Sequence, residues 1–245
     1  MPTDYNAIAE QYRRSKLTPW RRHIEQYTFF DVLGDITGLS VLDLACGEGF
    51  YSRLFRLHGA SRVVGVDLSG EMIRLARASE AEQPLDIEYV VADVLGFRTG
   101  ERFDIVSAAY LLNYADTEEK LSAMCQAIAG ALKPDGRFVT VNNNPAQSPE
   151  RFEATRPYGF IKSVAGPLEP GRAITYTIFL GDDEAFRFDN YYLSPDAHER
   201  ALAEAGFRDV EWIDPKLSPE WAGERGFYDA FFVDPSVVFL SCRRS

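Results

Sequence analysis

Apolar positions between residues 38 and 141 come as short continuous runs separated by stretches of helical spacing, and each run ends in a turn. Val41-Leu42-Asp43-Leu44-Ala45 is the first run, closed by Cys46-Gly47-Glu48-Gly49, and Phe50 to Leu57 then repeats with a helical period. Arg62-Val63-Val64-Gly65-Val66 is strand-like, Asp67-Leu68-Ser69-Gly70 turns, and Glu71 to Glu82 carries Met72, Ile73, Leu75 and Ala76 on one helix side. A third strand is predicted at Ile87 to Ala92 and a fourth at Phe103 to Ala108. A helix from Thr117 to Leu132 has Glu118 and Glu119 in its first turn, where they complement the helix dipole, and feeds a fifth strand at Arg137 to Val141. Strands alternating with helices at these intervals predict βαβ units and a mostly parallel sheet.

The flanks behave differently. The first thirty-odd residues predict two helical pieces broken at Thr18-Pro19, the first with Tyr5, Ile8, Ala9 and Tyr12 on one face. Beyond Asn142 a Pro/Asn-rich stretch precedes two alternating segments, Ala173 to Leu180 and Ala185 to Tyr192, around Gly181-Asp182-Asp183-Glu184, which predicts an antiparallel hairpin. A helix from Ser194-Pro195 to Ala205 ends at Gly206, and Val210 to Ile213 and Ser236 to Ser241 supply the last strands. The fold class expected is α/β: a doubly wound, Rossmann-like, seven-stranded, mostly parallel sheet with a C-terminal antiparallel strand, an N-terminal helical lid and a β-hairpin insert after strand five.

Composition narrows the partners. The 245 residues are 46% hydrophobic and 26% charged with a net charge of −11, so a full core is available and general affinity for nucleic acid, which rests on Lys and Arg, is not expected. Arg13, Arg14, Lys16, Arg21 and Arg22 form the one basic cluster and read as a solvated helix face. Apolar runs such as Val237 to Leu240 are strand-sized, so no membrane partner is expected, and Met1-Pro2-Thr3-Asp4-Tyr5 lacks a basic-then-apolar leader. Cys46, Cys125 and Cys242 have neither paired spacing nor nearby histidines, so neither disulfide nor metal site is expected and the cytoplasm is the expected compartment.

Open parallel sheets bind ligands at the carboxyl ends of their strands, near the point where strand order reverses. Asp43, Gly47 and Gly49, Asp67, Asp93, and Ala109-Tyr110 stand at four such ends. The glycines permit a tight turn and close ligand approach, and Asp67 is placed to grip ribose hydroxyls. A dinucleotide turn shares the Gly-x-Gly, yet its third small residue would be Ser52, and it does not ask for acids at both Asp43 and Asp93.

These residues resemble the motifs of the class I S-adenosylmethionine-dependent methyltransferases, over nearly the whole chain. Val41 to Gly49 is similar to the family's first motif, Val64 to Ser69 to its second, Val91-Ala92-Asp93 to its third, and Leu132-Lys133-Pro134-Asp135-Gly136 to the turn before strand five, with Asp135 in place of a glycine. The resemblance implies the cofactor S-adenosyl-L-methionine, with S-adenosyl-L-homocysteine as product. It also implies cofactor contacts from Tyr5, Tyr12, Asp43, Ala45, Cys46, Gly47, Gly49, Asp67, Leu68, Met72, Asp93, Val94 and Ala109. Tyr5, Ile8, Ala9 and Tyr12 resemble a lid helix of small-molecule members. The expected organisation is a single domain over 1–245: lid 1–37, cofactor-binding half 38–141, substrate-cover insert 142–193, and C-terminal helix and strands 194–245.

No Asn-Pro-Pro-Tyr signature follows strand four, and Ala109 to Tyr114 resembles the small-molecule branch, with Asn113 where many relatives carry a histidine. His23, His58 and His198 read as surface helix positions. Tyr12, Tyr110 and Asn113 are the expected catalytic residues, and Asn113, Asn142, Asn144 and Tyr191 the expected substrate contacts. The aromatics and amides of the insert suit a planar heterocycle. A narrower similarity, to the N-methyltransferases of toxoflavin biosynthesis, implies methylation of a ring nitrogen on an azapteridine. O- or C-methylation of another metabolite, a nicotinamide-dependent reductase, and a silent cofactor-binding protein stand as alternatives. The expected partner is thus a small heterocyclic substrate; the oligomeric state is open.

Overall fold

The computed structural model describes residues 5–181 and 183–245. Strands β1 (Ser40–Leu44), β2 (Arg62–Asp67), β3 (Ile87–Val91), β4 (Phe103–Ser107) and β5 (Leu132–Asn143) alternate with helices α3 (Phe50–Leu57), α4 (Gly70–Glu82) and α5 (Glu118–Ala131). Ahead of them lie α1 (Tyr5–Ser15), a π-helical turn (Arg21–Gln26) and α2 (Tyr27–Leu33). An inserted sheet of β6 (Phe160–Val164), β7 (Ala173–Phe179) and β8 (Ala185–Tyr191) follows β5, and α6 (Pro195–Glu204), β9 (Phe207–Ile213), α7 (Asp229–Val233) and β10 (Val237–Arg244) complete the chain.

The main sheet has seven strands in the order β3-β2-β1-β4-β5-β10-β9. β1 pairs in parallel with both β2 and β4, so strand order reverses between β1 and β4 and opens a crevice at their carboxyl ends. β10 runs antiparallel to β5 and β9, as a closing C-terminal strand. Helix starts follow local chemistry: the side chains of Ser69, Thr117 and Ser194 accept the backbone N–H of Met72, Lys120 and Ala197, capping α4, α5 and α6. One face of the sheet buries Phe29, Phe55, Ile73 and Phe239, and the other buries Phe103, Leu121, Ile128 and Phe138. Burial of apolar area on both faces explains why β1, β2 and β4 read as continuous apolar runs.

Four features differ from the sequence reading. The insert is a three-stranded sheet, since β6 pairs with β7 antiparallel beside the expected hairpin. Lys162 hides β6 from pattern reading, because it is 1% exposed on the inward face beside Phe160. Its ammonium lies 4.6 Å from the Phe152 ring centre and 5.7 Å from that of Tyr176, and Nζ donates to the Ser236 carbonyl at 3.4 Å. Residues 132–136, expected as a turn, form the start of β5, with Asp135 in a left-handed conformation. The basic cluster is not one solvated face: Arg13, Arg14 and Arg22 are exposed, whereas Lys16 and Arg21 are buried. His198 is also buried, its Nδ1 2.9 Å from the Ser194 carbonyl, and burial pushes its pKa down.

No helix of the described residues is long and apolar enough to cross a membrane. No cluster of three or more His, Cys, Asp or Glu able to hold a metal occurs among them, and all three cysteines are free and buried.

Candidate active site

The tips of β1 and β4 carry backbone strain. Ala45 (φ 56°), directly after β1, and Tyr110 (φ 64°), three residues past the end of β4, are non-glycine residues in left-handed conformation beyond the two strands that flank the reversal. Such conformations persist where surrounding structure enforces them. Here Cys46 N–H donates to the Val66 carbonyl and Tyr110 N–H to the Val141 carbonyl, so each tip is tied to its neighbouring strand.

The loop after β1 needs its glycines. Gly47 (φ 57°) and Gly49 (φ 82°) are both left-handed, and a Cβ on Gly49 would stand 2.3 Å from the Tyr89 hydroxyl. Asp67 pins this loop, accepting the Gly47 N–H at 2.8 Å on Oδ2 and the Ser69 N–H at 2.8 Å on Oδ1. Asp43 is buried beneath it and accepts the Ser52 hydroxyl at 2.6 Å. Burial raises the Asp43 carboxyl to about 7, and it also raises those of Glu48 and Asp67.

The Lys16 cation faces this group of acids. The Lys16 ammonium lies 4.9 Å from the ring centre of Tyr12, 5.6 Å from Tyr51, 5.7 Å from Tyr110 and 6.0 Å from Phe50, and its charge favours the ionised forms of Asp43 and Glu48. Four aromatic faces around a monovalent cation make a favourable electrostatic seat.

Helix α1 covers the crevice. Asn6 Oδ1 accepts the Ser69 hydroxyl at 2.8 Å and the Glu71 N–H at 3.1 Å, docking α1 on the start of α4. The Tyr5 and Tyr114 hydroxyls hydrogen-bond, the Tyr12 ring packs edge-on against Phe186 and Phe188, and Arg14 pairs with Glu184 at 2.9 Å. The face of α1 named by its spacing therefore bridges the sheet tips and the insert.

Under this cover lies a cavity of about 20 Å³ walled mainly by Tyr12, Trp20, Tyr110, Tyr114, Tyr176 and Phe188. Arg21, Asn143 and Asn190 add polar groups to the wall. Arg21 Nη1 engages the Glu25 carboxylate and, at 3.1 Å, the Tyr110 hydroxyl. Burial pulls the guanidinium pKa down, but the charge of Glu25 outweighs it and holds Arg21 above its usual range. Tyr51 donates to Glu25 at 2.8 Å, and Tyr110 donates to it as well. Burial lifts the pKa values of Tyr110, Tyr114 and Tyr176 well above the phenol range, so these hydroxyls stay neutral.

The structure gathers the residues expected to hold a cofactor into one region unevenly. Ala45, Cys46, Gly47, Gly49, Asp43 and Asp67 form the β1–β2 tips, Met72 lies buried with its Sδ 4.0 Å from where a Gly47 Cβ would sit, and Tyr5 and Tyr12 approach from α1. Leu68 is 70% exposed beside them. Asp93 is exposed and accepts the Leu95 N–H at 2.9 Å, Val94 is buried, and Ala109 precedes Tyr110 at the β4 tip.

The expected substrate contacts Asn113, Asn142, Asn144 and Tyr191 all stand off the wall of this cavity. Asn142 shares the α5-side face with Thr140, to whose hydroxyl its Nδ2 donates at 3.1 Å, so Asn143 reaches the cavity in its place. Asn144 is spent on the loop, donating to the Pro235 carbonyl at 2.9 Å and accepting the Ala146 N–H at 2.9 Å. Tyr191 is half-buried at the end of β8 off the cavity wall, and its neighbour Asn190 lines it. Asn113 is buried in a short 3-10 turn beside Tyr114 and outside that wall, with neither amide atom partnered. Sequence reading missed Lys16, Trp20, Arg21 and Glu25; the Arg21-Glu25 spacing of four residues after Trp20 was the available signal.

Residues 41–136 match the family model described as "Methyltransferase domain". A ubiquinone biosynthesis O-methyltransferase of Coxiella burnetii is 34% identical over 112 residues, covering 44% of this chain and 46% of that protein; the chain thus spans about half the length of this relative. N-demethylindolmycin N-methyltransferase of Streptomyces griseus is 29% identical over 194 residues, 76% of this chain and 79% of that protein. Among solved structures, an S-adenosylmethionine-dependent methyltransferase from Mesorhizobium loti superposes with a TM-score of 0.61 at 25% identity, covering 90% of this chain and 97% of that one.

Proposed function

We propose that this chain, an S-adenosylmethionine-dependent methyltransferase by its matching domain and its fold, transfers the methyl group to a ring nitrogen of a small planar heterocycle. Bound at the β1–β2 tips, S-adenosylmethionine supplies an electrophilic methyl on a sulfonium. The residues present fit it: left-handed glycines bare the backbone, Asp67 retains lone pairs on both oxygens for hydroxyl donors, and the ring cage already accommodates a monovalent cation. Tyr12 and Tyr110 belong to both the cage and the cavity wall, so they stand between the charged centre and the acceptor.

The observation that carries the choice of nitrogen is the character of the cavity wall. Its polar groups are phenols, amides and a guanidinium, and the buried phenols are neutral. A neutral ring nitrogen owns a lone pair and attacks without prior loss of a proton, so aligning it is the principal task. Aromatic faces clamp a flat ring, Tyr110 remains a candidate for orienting it, and closure of α1 with the insert excludes water. The Streptomyces relative methylates a nitrogen by its name, which supports this reading. The Coxiella relative is an O-methyltransferase by its name, which supports transfer to an oxygen instead, and that second reading, with a phenol hydroxyl as the acceptor, asks Tyr110 to relay a proton toward Glu25.

The test is calorimetry with S-adenosylhomocysteine, followed by mass spectrometry of a panel of nitrogen heterocycles and phenols incubated with enzyme and S-adenosylmethionine. A mass gain of one methyl on a ring nitrogen is expected. Methylation confined to phenols selects the second reading, and no binding of the thioether refutes both.

A further inference from the structure

Two buried polar atoms at the wall of the aromatic cavity have no hydrogen-bond partner: Arg21 Nε and Asn143 Nδ2. Both are N–H donors. Arg21 is only 6% exposed, and its Nη1 is already committed to Glu25 and Tyr110. Asn143 Oδ1 accepts the Tyr176 hydroxyl, which leaves its Nδ2 over. Among the described residues of this wall, these are the fully buried side-chain atoms without a partner and both are donors, while the Asn190 amide adds a further donor and acceptor to the wall. The imbalance has a sign: the cavity offers donors and asks for acceptors. Buried donors are costly to leave unpaired, so a site built this way selects ligands that satisfy them and rejects those presenting N–H groups in the same place.

The two donors sit among stacked rings. The Arg21 guanidinium lies 4.5 Å from the Trp20 ring centre, and the Tyr176 and Phe188 rings are stacked with centroids 5.2 Å apart on the adjoining wall. We propose that Arg21 and Asn143 are the specificity-determining pair of the acceptor site, and that they receive a carbonyl or ionised oxygen carried on the edge of a flat aromatic ring system. This deepens, and rests on, the reading of the cavity as the acceptor site of a methyltransferase. The acceptor is then an oxo- or hydroxy-substituted heterocycle, oriented by its oxygen so that another ring atom faces Tyr12 and Tyr110. With the side chains as they stand the cavity holds about 20 Å³, so a ring enters by displacing the Tyr12 side of the cover.

Two bicyclic probes separate this idea from simple stacking: lumazine, a pteridine-2,4-dione, and quinoxaline, which carries no oxygen. Heat of binding of S-adenosylhomocysteine is measured first, and its absence counts against the methyltransferase reading alone. Each probe is then titrated into the protein with the thioether present, or into the protein alone if the thioether does not bind. Wild type is expected to bind lumazine at least tenfold more tightly than quinoxaline. Asn143→Asp keeps the acceptor used by Tyr176 and removes the free donor, so it brings lumazine down to the level of quinoxaline with an unchanged melting temperature. Arg21→Met has the same expected effect, and Asn143→Asp stands alone if the Arg21 variant does not fold. A lumazine preference that survives in Asn143→Asp, a wild-type protein that prefers quinoxaline, or one that binds neither probe overturns the proposal.

Discussion

The Tyr110 hydroxyl donates to the Glu25 carboxylate across 85 positions of sequence, joining the strained tip of β4 to the π-helical turn of the N-terminal segment. Tyr51 and Arg21 meet the same carboxylate, so one buried acid collects donors from three elements. Glu25→Gln leaves Arg21 buried without its counter-charge. Breaking one side of a buried pair costs about 3 kcal/mol, and urea unfolding of the variant is expected to show a loss of that size. A loss within experimental error would place Glu25 outside the structural core of the site.

Asp43 gives stability a slope on the acid side. Its carboxyl titrates near 7 in the folded chain through burial and near 3.8 when unfolded. Between these values the native state holds a proton that the unfolded state has released, so stability falls as pH rises from about 4 to about 7. Three pH units correspond to at most about 4 kcal/mol. Asp43→Asn is expected to flatten this limb in denaturant titrations at pH 4.5, 5.5 and 7.

Lys162 acts in the opposite direction at higher pH. Burial lowers its ammonium from 10.5 to about 7, so between those values the unfolded chain is the more protonated state. Stability therefore rises with pH from about 7 to about 10, by at most roughly 5 kcal/mol. Lys162→Met is expected to be more stable than wild type at pH 7 and to lose the alkaline rise, which thermal melts at pH 7 and 9.5 will reveal.

Asp67 holds the glycine loop through two backbone donors and is the proposed ribose acceptor. Asp67→Ala is expected to weaken S-adenosylhomocysteine binding by about 1 to 3 kcal/mol, the scale of charged hydrogen bonds. An unchanged dissociation constant in calorimetry contradicts that role.

Lys16 and a sulfonium compete for one aromatic cage if both lie near Tyr12 and Tyr110. Lys16→Met is then expected to tighten S-adenosylmethionine by about threefold to tenfold relative to the uncharged thioether. An equal change for both compounds shows that Lys16 is felt through packing and not through charge.

Much of the main sheet was legible because β1, β2 and β4 are buried on both faces, and the turns after β1 and β2 hold residues with a conformational reason to be there, Gly47, Gly49 and Ser69. β6 escaped notice because Lys162 occupies an inward position that pattern reading assigns to an apolar residue. The polar wall was harder still. Asn142, Asn143 and Asn144 are chemically alike in sequence, and only the phase of β5 decides which one turns to the cavity. Arg21 and Lys16 looked like solvated charges, since a carboxylate 4 residues away and rings from α1, α3 and the β4 tip compensate them only after folding.

The wide turn at Arg21–Gln26 also sets how the cover is phased against the sheet. A π turn accommodates residues beyond what an α-helix of the same rise would hold, and each α-helical residue advances the chain by roughly 100°. Deleting a single position there would let the segment relax to regular winding and swing the residues joined to it, Trp20 and Arg21 included, about a quarter-turn away from the cavity. The spacing between the N-terminal segment and β1 is therefore a rotational key, and natural length variation in this stretch should change which side chains roof the cavity while leaving the sheet beneath untouched.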